Sequence, residues 1–248
     1  MKLRFVDART WRYAIVAISK IVDEATYKFT EEGIVLRAID PSRIVLVDFQ
    51  IPRSSMILYE VKGVETVTVN MEDLAKIVRR AVKGDELELS TLEAGRLAVT
   101  FHGRGSRTFI LPSLETTVEE APELNIEFSV RAKFSPPVFR DIVKELEPVS
   151  DAIEFVTNRD ENKIIARASS DVAEVEIEAS IENGALIELE ATENARAVYT
   201  IDYLKDITSA IQIAEELVFE YGTSIPCKIT TRLPHGGLLT FYVAPRVE

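Results

Sequence analysis

Cysteine is all but missing from this 248-residue chain: Cys227 is the only one, which excludes an internal disulfide and fits a reducing compartment. It sits in a strand-like stretch, where a small buried hydrophobe is expected. Histidine is nearly as scarce. His102 and His235 each stand near glycine, and neither has a cysteine, histidine or carboxylate at metal-ligand spacing, so no zinc site is expected. Apolar runs of about 18 residues are missing too, which argues against a membrane-spanning helix. Met1-Lys2-Leu3-Arg4-Phe5 has none of the apolar core of a secretory signal, so a cytoplasmic location is expected, or a nuclear one in a eukaryote. Nothing marks a catalytic pair among the many carboxylates. Gly103-Arg104-Gly105 lies between two strand-like segments with no helix start behind it, so it reads as a hairpin turn and not as a phosphate loop. The expectation is a protein with no catalytic activity, no cofactor and no metal.

Positive charge is in deficit, with 29 Lys and Arg against 41 Asp and Glu and a net charge of −12. Taken alone, that balance argues against non-specific binding to nucleic acid, because a duplex repels an acidic body. The distribution of charge along the chain reverses this impression.

What the chain has in quantity is a pattern written twice. Strand, amphipathic helix, strands, amphipathic helix, strands runs from residue 3 to about 112 and returns from 128 to 245. A strand over 3–6 leads into a helix over 10–22, as a strand over 128–131 leads into a helix over 136–147. The helical stretch 69–78 is matched by 199–208. Domains are expected at 1–111 and 127–248, joined by a connector over 112–126. The fold class is α+β: two duplicated domains, with helices on one face of antiparallel sheets.

The helices carry the base and the strands carry the acid. By i, i+3, i+4 spacing the first helix buries Trp11, Ala14, Ile15, Ile18 and Ile21, leaving Arg9, Arg12, Val16 and Lys20 opposite. The second buries Met71, Leu74, Ile77, Val78 and Ala81 and exposes Lys76, Arg79, Arg80 and Lys83. The third opens at Ser135-Pro136-Pro137, where serine can cap and proline suits the first turn. It buries Phe139, Ile142, Val143 and Leu146 and exposes Arg140 and Lys144. The fourth, over 201–211, exposes only Lys205 among Asp202, Asp206 and Ser209. Glu86-Leu87-Glu88-Leu89, Glu174-Val175-Glu176-Ile177-Glu178 and Glu188-Leu189-Glu190 alternate acid with apolar residues, as half-buried strands do. Asn183-Gly184 is the best short hairpin signal. Surface helices commonly carry lysine and arginine. Segregation in three helices of four, in a chain this acidic, points instead to a basic functional surface.

The stretch 112–127 has five acidic residues, no basic one and no secondary-structure period, as an extended connector would. Its Val118, Ala121, Pro122 and Leu124 either pack on the domains or form one wall of a peptide site.

Three segments carry a resemblance: Leu36-Arg37-Ala38-Ile39-Asp40-Pro41-Ser42-Arg43-Ile44-Val45-Leu46-Val47, the helix near 69–78, and Phe241-Tyr242-Val243-Ala244-Pro245-Arg246-Val247-Glu248. With the duplicated plan and the acidic connector, the whole chain resembles the archaeal and eukaryotic sliding clamps of the proliferating cell nuclear antigen family. That resemblance implies a ring of three subunits, homotrimeric or built with related subunits, whose helices surround double-stranded DNA without reading its sequence. The DNA-facing residues would be Arg9, Arg12, Lys20, Lys76, Arg79, Arg80, Lys83, Arg140, Lys144 and Lys205. Partners carrying short peptide motifs (DNA polymerase, clamp loader, flap endonuclease, DNA ligase) would dock on Ile39, Arg43, Ile44, Leu46, Val118, Pro122, Leu124, Pro226, Tyr242, Ala244 and Pro245. For Leu46 and Tyr242 core packing is the competing reading. Subunits would join through strands near 107–111 and 172–178, with Arg104 and Arg107 facing Glu174, Glu176 and Glu178. A subunit active only in a mixed ring, and a peptide-binding scaffold that never contacts DNA, are the alternatives.

Overall fold

The computed structural model describes residues 1–93, 95–115 and 121–247. They form two compact units, Met1–Pro122 with Leu233–Leu239, and Glu123–Arg232 with Thr240–Glu248. The first holds β1 (Lys2–Phe5), α1 (Ala8–Ile18), β2 (Glu24–Phe29), β3 (Gly33–Ile39), β4 (Val45–Pro52), β5 (Met56–Glu60), β6 (Glu65–Asn70), α2 (Met71–Val78), β7 (Glu86–Leu92), β8 (Arg96–His102) and β9 (Ser106–Pro112). Its strands order as β5-β1-β7-β8-β9 and β4-β3-β2-β6. The second holds β10 (Val130–Phe134), α3 (Pro136–Leu146), β11 (Ala152–Asn158), β12 (Lys163–Ser169), β13 (Glu174–Ser180), β14 (Leu186–Ala191), β15 (Ala195–Thr200), α4 (Ile201–Ile211), β16 (Glu216–Tyr221) and β17 (Cys227–Arg232), with the last residues of β18 (Leu238–Val243). Its orders are β14-β10-β16-β17-β18 and β13-β12-β11-β15. Adding nine to every strand number of the first unit yields the second, so the repeat seen as a sequence pattern is a repeat of topology. Every described strand pairing is antiparallel.

Each unit builds its core from alternating strand positions closed over by a helix pair. In the first, Trp11 of α1 lies among Phe5, Tyr27 and Phe49 at ring-centroid distances of 6.3, 6.2 and 5.7 Å. Its indole Nε1 is buried and has no hydrogen-bond partner. In the second, Phe219 of β16 touches Phe155 at 4.8 Å, Tyr221 at 5.0 Å, Phe139 at 5.4 Å and Phe134 at 6.3 Å. Cys227 is fully buried, and burial raises its thiol pKa well above the usual value. The repeat extends past the last strand of each half. The N–H of Leu114 donates to the Thr68 carbonyl of β6, and the N–H of Arg246 donates to the Val198 carbonyl of β15, both at 2.8 Å.

Several elements differ from the sequence expectation. The first helix runs over Ala8–Ile18, not 10–22: Asp7 caps it by accepting from the Arg9 N–H at 3.1 Å. It ends where the Ser19 hydroxyl donates to the Val16 carbonyl at 3.0 Å and tighter turns take over. Lys20 therefore lies beyond the helix. The second begins at Met71, because Asn70 ends β6 and its side chain accepts from the Asp73 N–H at 3.0 Å. It stops at Val78, so Arg79, Arg80 and Lys83 lie in the turns that follow, and Ile77 is half-buried where Ala75 is buried. The strand expected over 128–131 is Val130–Phe134, and the one expected over 172–178 is Glu174–Ser180. The Ser135 side chain makes no capping bond; its backbone carbonyl takes the Val138 and Phe139 N–H groups instead, at 3.0 and 3.3 Å. Asn183-Gly184 is not a hairpin turn. It passes the chain from β13 to β14, in different sheets, and Asn183 Oδ1 accepts from the N–H of Ser180 and of Ala185 at 3.1 and 3.0 Å. Glu88 is buried rather than solvated, held by Arg4 at 2.8 Å, His102 at 3.2 Å and Lys2 at 3.4 Å. Burial alone would raise its pKa, but hydrogen bonds from Arg4, Lys2 and His102 outweigh burial and lower it.

Candidate nucleic-acid interface and partner-binding residues

Within the first unit α1 packs beside α2, and within the second α3 packs beside α4. Each pair turns its apolar side to the sheets, which leaves an outer face. On the first, Arg9 pairs with its capping Asp7 at 3.4 Å, and Arg12 donates to the Ala81 carbonyl at 3.4 Å. Lys76 sits between Glu72 at 3.0 Å and Asp73 at 3.2 Å, whose hydrogen bonds raise its pKa. The Arg80 guanidinium lies 5.5 Å from the Phe109 ring centroid, and Lys20 is exposed. Arg79 and Lys83 are exposed with no ion-pair partner among the described residues. On the second face Arg140 pairs with Asp141 at 2.9 Å, and Lys205 pairs with Glu147, which raises the lysine pKa. Lys144 is exposed and unpaired among the described residues. Exposed pairs of this kind are weak because water screens them, so a phosphate can displace the acid. Seven of the ten basic residues lie in the first unit and three in the second, and four of the seven, Lys20, Arg79, Arg80 and Lys83, lie beyond the helix ends.

The loop after β3 is built around one carboxylate. Asp40 is buried and accepts from the N–H groups of Ile44 and Val45 at 2.6 Å and of Ser42 at 3.0 Å, with the Ser42 hydroxyl also bonded to it. These bonds hold Arg43 in the left-handed region at φ 59°. The loop thereby exposes Ile39 and Arg43 and half-buries Ile44, while Leu46 lies in the core. Of the connector residues, Ala121 is buried, Pro122 and Leu124 are exposed, and Val118 lies outside the described residues. Pro226, Tyr242, Ala244 and Pro245 are half-buried. Asp40 was not singled out from sequence, although Asp-Pro-Ser is a signal for a turn in which the aspartate bonds its own backbone.

The tail is fastened by a second device that the sequence did not reveal: Arg246 makes a two-pronged ion pair with Asp151, at 2.8 and 3.0 Å. Hydrogen bonds from Arg246 hold the Asp151 carboxyl below its usual pKa. A lowered pKa means the pair is fully formed above the ordinary aspartate range and is lost only as pH falls through the lowered value. Asp151→Asn is therefore expected to reduce amide-exchange protection at the Arg246 N–H at neutral pH, while the unmodified protein loses that protection only in acid. Equal protection in the two proteins at neutral pH would refute the fastening.

Strands β9 and β13 are each at the edge of a sheet, paired on one side within their own unit. Arg104 is exposed in the β8–β9 turn and unpaired among the described residues. Arg107 is engaged inside its own unit by Asp85 and by the Arg80 carbonyl at 3.2 Å. Glu176 pairs with Arg167 at 2.7 Å and Glu178 with Lys163 at 3.1 Å, while Glu174 stands exposed. Much of the charge on these edges is thus satisfied locally. The apolar side chains of Ile110, 53% exposed, and of half-buried Val175 and Ile177 remain accessible. Among the described residues no group of three or more His, Cys, Asp or Glu is placed to hold a metal, and no helix is long and apolar enough to cross a membrane.

Residues 1–107 match the N-terminal domain of proliferating cell nuclear antigen, and residues 122–246 match its C-terminal domain. The chain is 40% identical over 246 residues to DNA polymerase sliding clamp 3 of Aeropyrum pernix, spanning 98% of this chain and 97% of that one. It is 36% identical over 244 residues to DNA polymerase sliding clamp 1 of Thermococcus kodakarensis, with the same coverage. Its fold superposes with a TM-score of 0.93, at 35% identity and complete coverage of both chains, on a subunit of the PCNA2–PCNA3 complex of Sulfolobus tokodaii. The repeated topology, the outward cations on its helix pairs and these full-length matches agree, and the chain belongs to the proliferating cell nuclear antigen family of DNA polymerase sliding clamps.

Proposed function

We propose that this protein works as a ring of three clamp subunits that encircles duplex DNA and holds DNA polymerase and other replication and repair enzymes on it, with no catalytic step of its own. The observation that carries the reading is the set of outward cations on and beside the helices, seven of ten in the first unit, in a chain of net charge −12. Cations on that face meet phosphates without reading sequence, and a closed ring keeps each contact weak enough to slide. The edges of β9 and β13 offer unpaired backbone for joining subunits, with Ile110, Val175 and Ile177 as the apolar part of the contact. Short peptides of partner enzymes are recognised by Ile39, Arg43 and Ile44 of the first unit and by the tail residues Tyr242, Ala244 and Pro245 of the second.

A second reading, in which this subunit completes a ring only with related chains, is favoured by its likeness to a subunit of a two-component complex and to a clamp numbered third in its organism. Light scattering after size exclusion, across a dilution series, separates the two. A mass three times 27.8 kDa supports a self-sufficient ring, and a persistent monomer supports the mixed one. Primer extension on a circular template tests both. If neither this chain nor its mixture with sister subunits lengthens the products of a partner polymerase, the clamp reading is wrong.

A further inference from the structure

The duplicated topology lets the two helix pairs be compared position by position. α2 and α4 each start on the residue after a matching edge strand, at Met71 and Ile201, so residues correspond at a constant offset. Two inward positions agree, Leu74 with Leu204 and Ile77 with Ile207, while buried Ala75 is answered by exposed Lys205 and buried Val78 by half-buried Thr208. The outward positions do not. Lys76 is answered by Asp206, Arg79 by Ser209, and exposed Arg80 by buried Ala210. α1 and α3, of equal length, behave alike. Trp11 matches Phe139, Ile15 matches Val143 and Ile18 matches Leu146, while Arg9 and Lys20 are answered by Pro137 and Pro148. Only Arg12 keeps its charge, as Arg140. Lys144, opposite Val16, and Lys205, opposite Ala75, are the cations that the second unit adds.

From these substitutions we infer that the two units share the DNA unequally: the first unit's helix pair carries the phosphate contacts and the second presents a face that is nearly neutral or repels them. The residues facing each pair bear this out. Seven cations of the first unit stand with Asp7, Glu72, Asp73 and Asp85, whereas the three of the second stand with Asp141, Glu145, Glu147, Asp202 and Asp206. Two of those three, Arg140 and Lys205, are already paired with neighbouring carboxylates. Arg79 and Lys83 have no such partner among the described residues. A phosphate approaching Arg79 or Lys83 meets a cation with no carboxylate to displace, whereas on the second face only Lys144 offers that, among five carboxylates. The arrangement would draw the duplex toward the first unit of each subunit.

This inference rests on the DNA-encircling reading, and the test separates the two. Binding of a labelled linear duplex to the assembled full-length protein is measured by fluorescence anisotropy over a series of salt concentrations. Each lost phosphate contact lowers the slope of log K against log salt by about 0.9. Arg79→Ala with Lys83→Ala is expected to lower the slope by nearly two such steps per subunit engaged. Lys144→Ala with Lys205→Ala should lower it by clearly less than half as much. Asp206→Lys with Ser209→Arg, which writes the first unit's charges onto α4, should steepen it. Each variant is compared only after its assembled mass matches that of the unmodified protein. Equal losses from the two alanine pairs, or no steepening from the α4 exchange, overturn the unequal sharing and leave the clamp reading standing. Binding of the unmodified protein that is absent or insensitive to salt overturns the DNA reading itself.

Discussion

Phe219→Ala is expected to cost about 3–5 kcal/mol of folding stability, the range for truncating a fully buried phenylalanine. The upper part of that range is expected because Phe219 is the hub of its cluster, with four rings within 6.3 Å. Those rings come from β10, α3, β11 and β16, so no single neighbour can move to fill the space without disturbing two elements. Urea unfolding followed by far-ultraviolet circular dichroism gives the midpoint and slope. A loss under about 1 kcal/mol would mean that the cluster collapses into the cavity, contrary to the packing described.

Asp40→Ala comes next, at about 2–4 kcal/mol, because it strands the N–H of buried Val45 and of half-buried Ile44. The same loop presents residues proposed to receive partner peptides, so peptide affinity should fall together with stability. Asp40→Asn retains one acceptor oxygen and should lose less of both. Calorimetric titration with a partner-derived peptide, run beside urea unfolding, checks the pairing of effects. An Asp40→Ala protein that binds peptide as tightly as the unmodified one would show that the loop's conformation does not matter for docking.

Elements whose ends are fixed by apolar spacing were legible in the sequence. α4 spans the residues its spacing predicts, since Leu204, Ile207 and Ile211 fall silent as a period where the helix stops. α1 was overextended because Ile21 and Val22 continue an apolar spacing that the chain satisfies in a turn, still buried, after Ser19 has ended the helix. Residues beyond a helix end keep the periodicity of that helix on paper. That is why Arg79, Arg80 and Lys83 read as one helical face. Asn183-Gly184 misled for a different reason: a tight turn can link strands of two sheets as readily as two strands of one, and local sequence does not say which partner each strand has. The burial of Glu88 is not legible in local sequence because its closest ion partner, Arg4, comes from a neighbouring strand 84 residues away. The basic residues of the helices were visible from spacing alone. Whether an arginine is already occupied, as Arg107 is by Asp85, depends on contacts that spacing does not contain.

The unpartnered indole of Trp11 also makes the protein its own fluorescent probe. It is the one tryptophan in the chain, 1% exposed, with aromatic neighbours and no hydrogen-bond partner at Nε1. A dry, apolar setting shifts indole emission to the blue, and entry of water shifts it to the red. Its emission thus reports the closure of α1 over the first unit's sheets, from a vantage point separate from the Phe219 cluster, without any label attached to the surface where DNA and partners would meet.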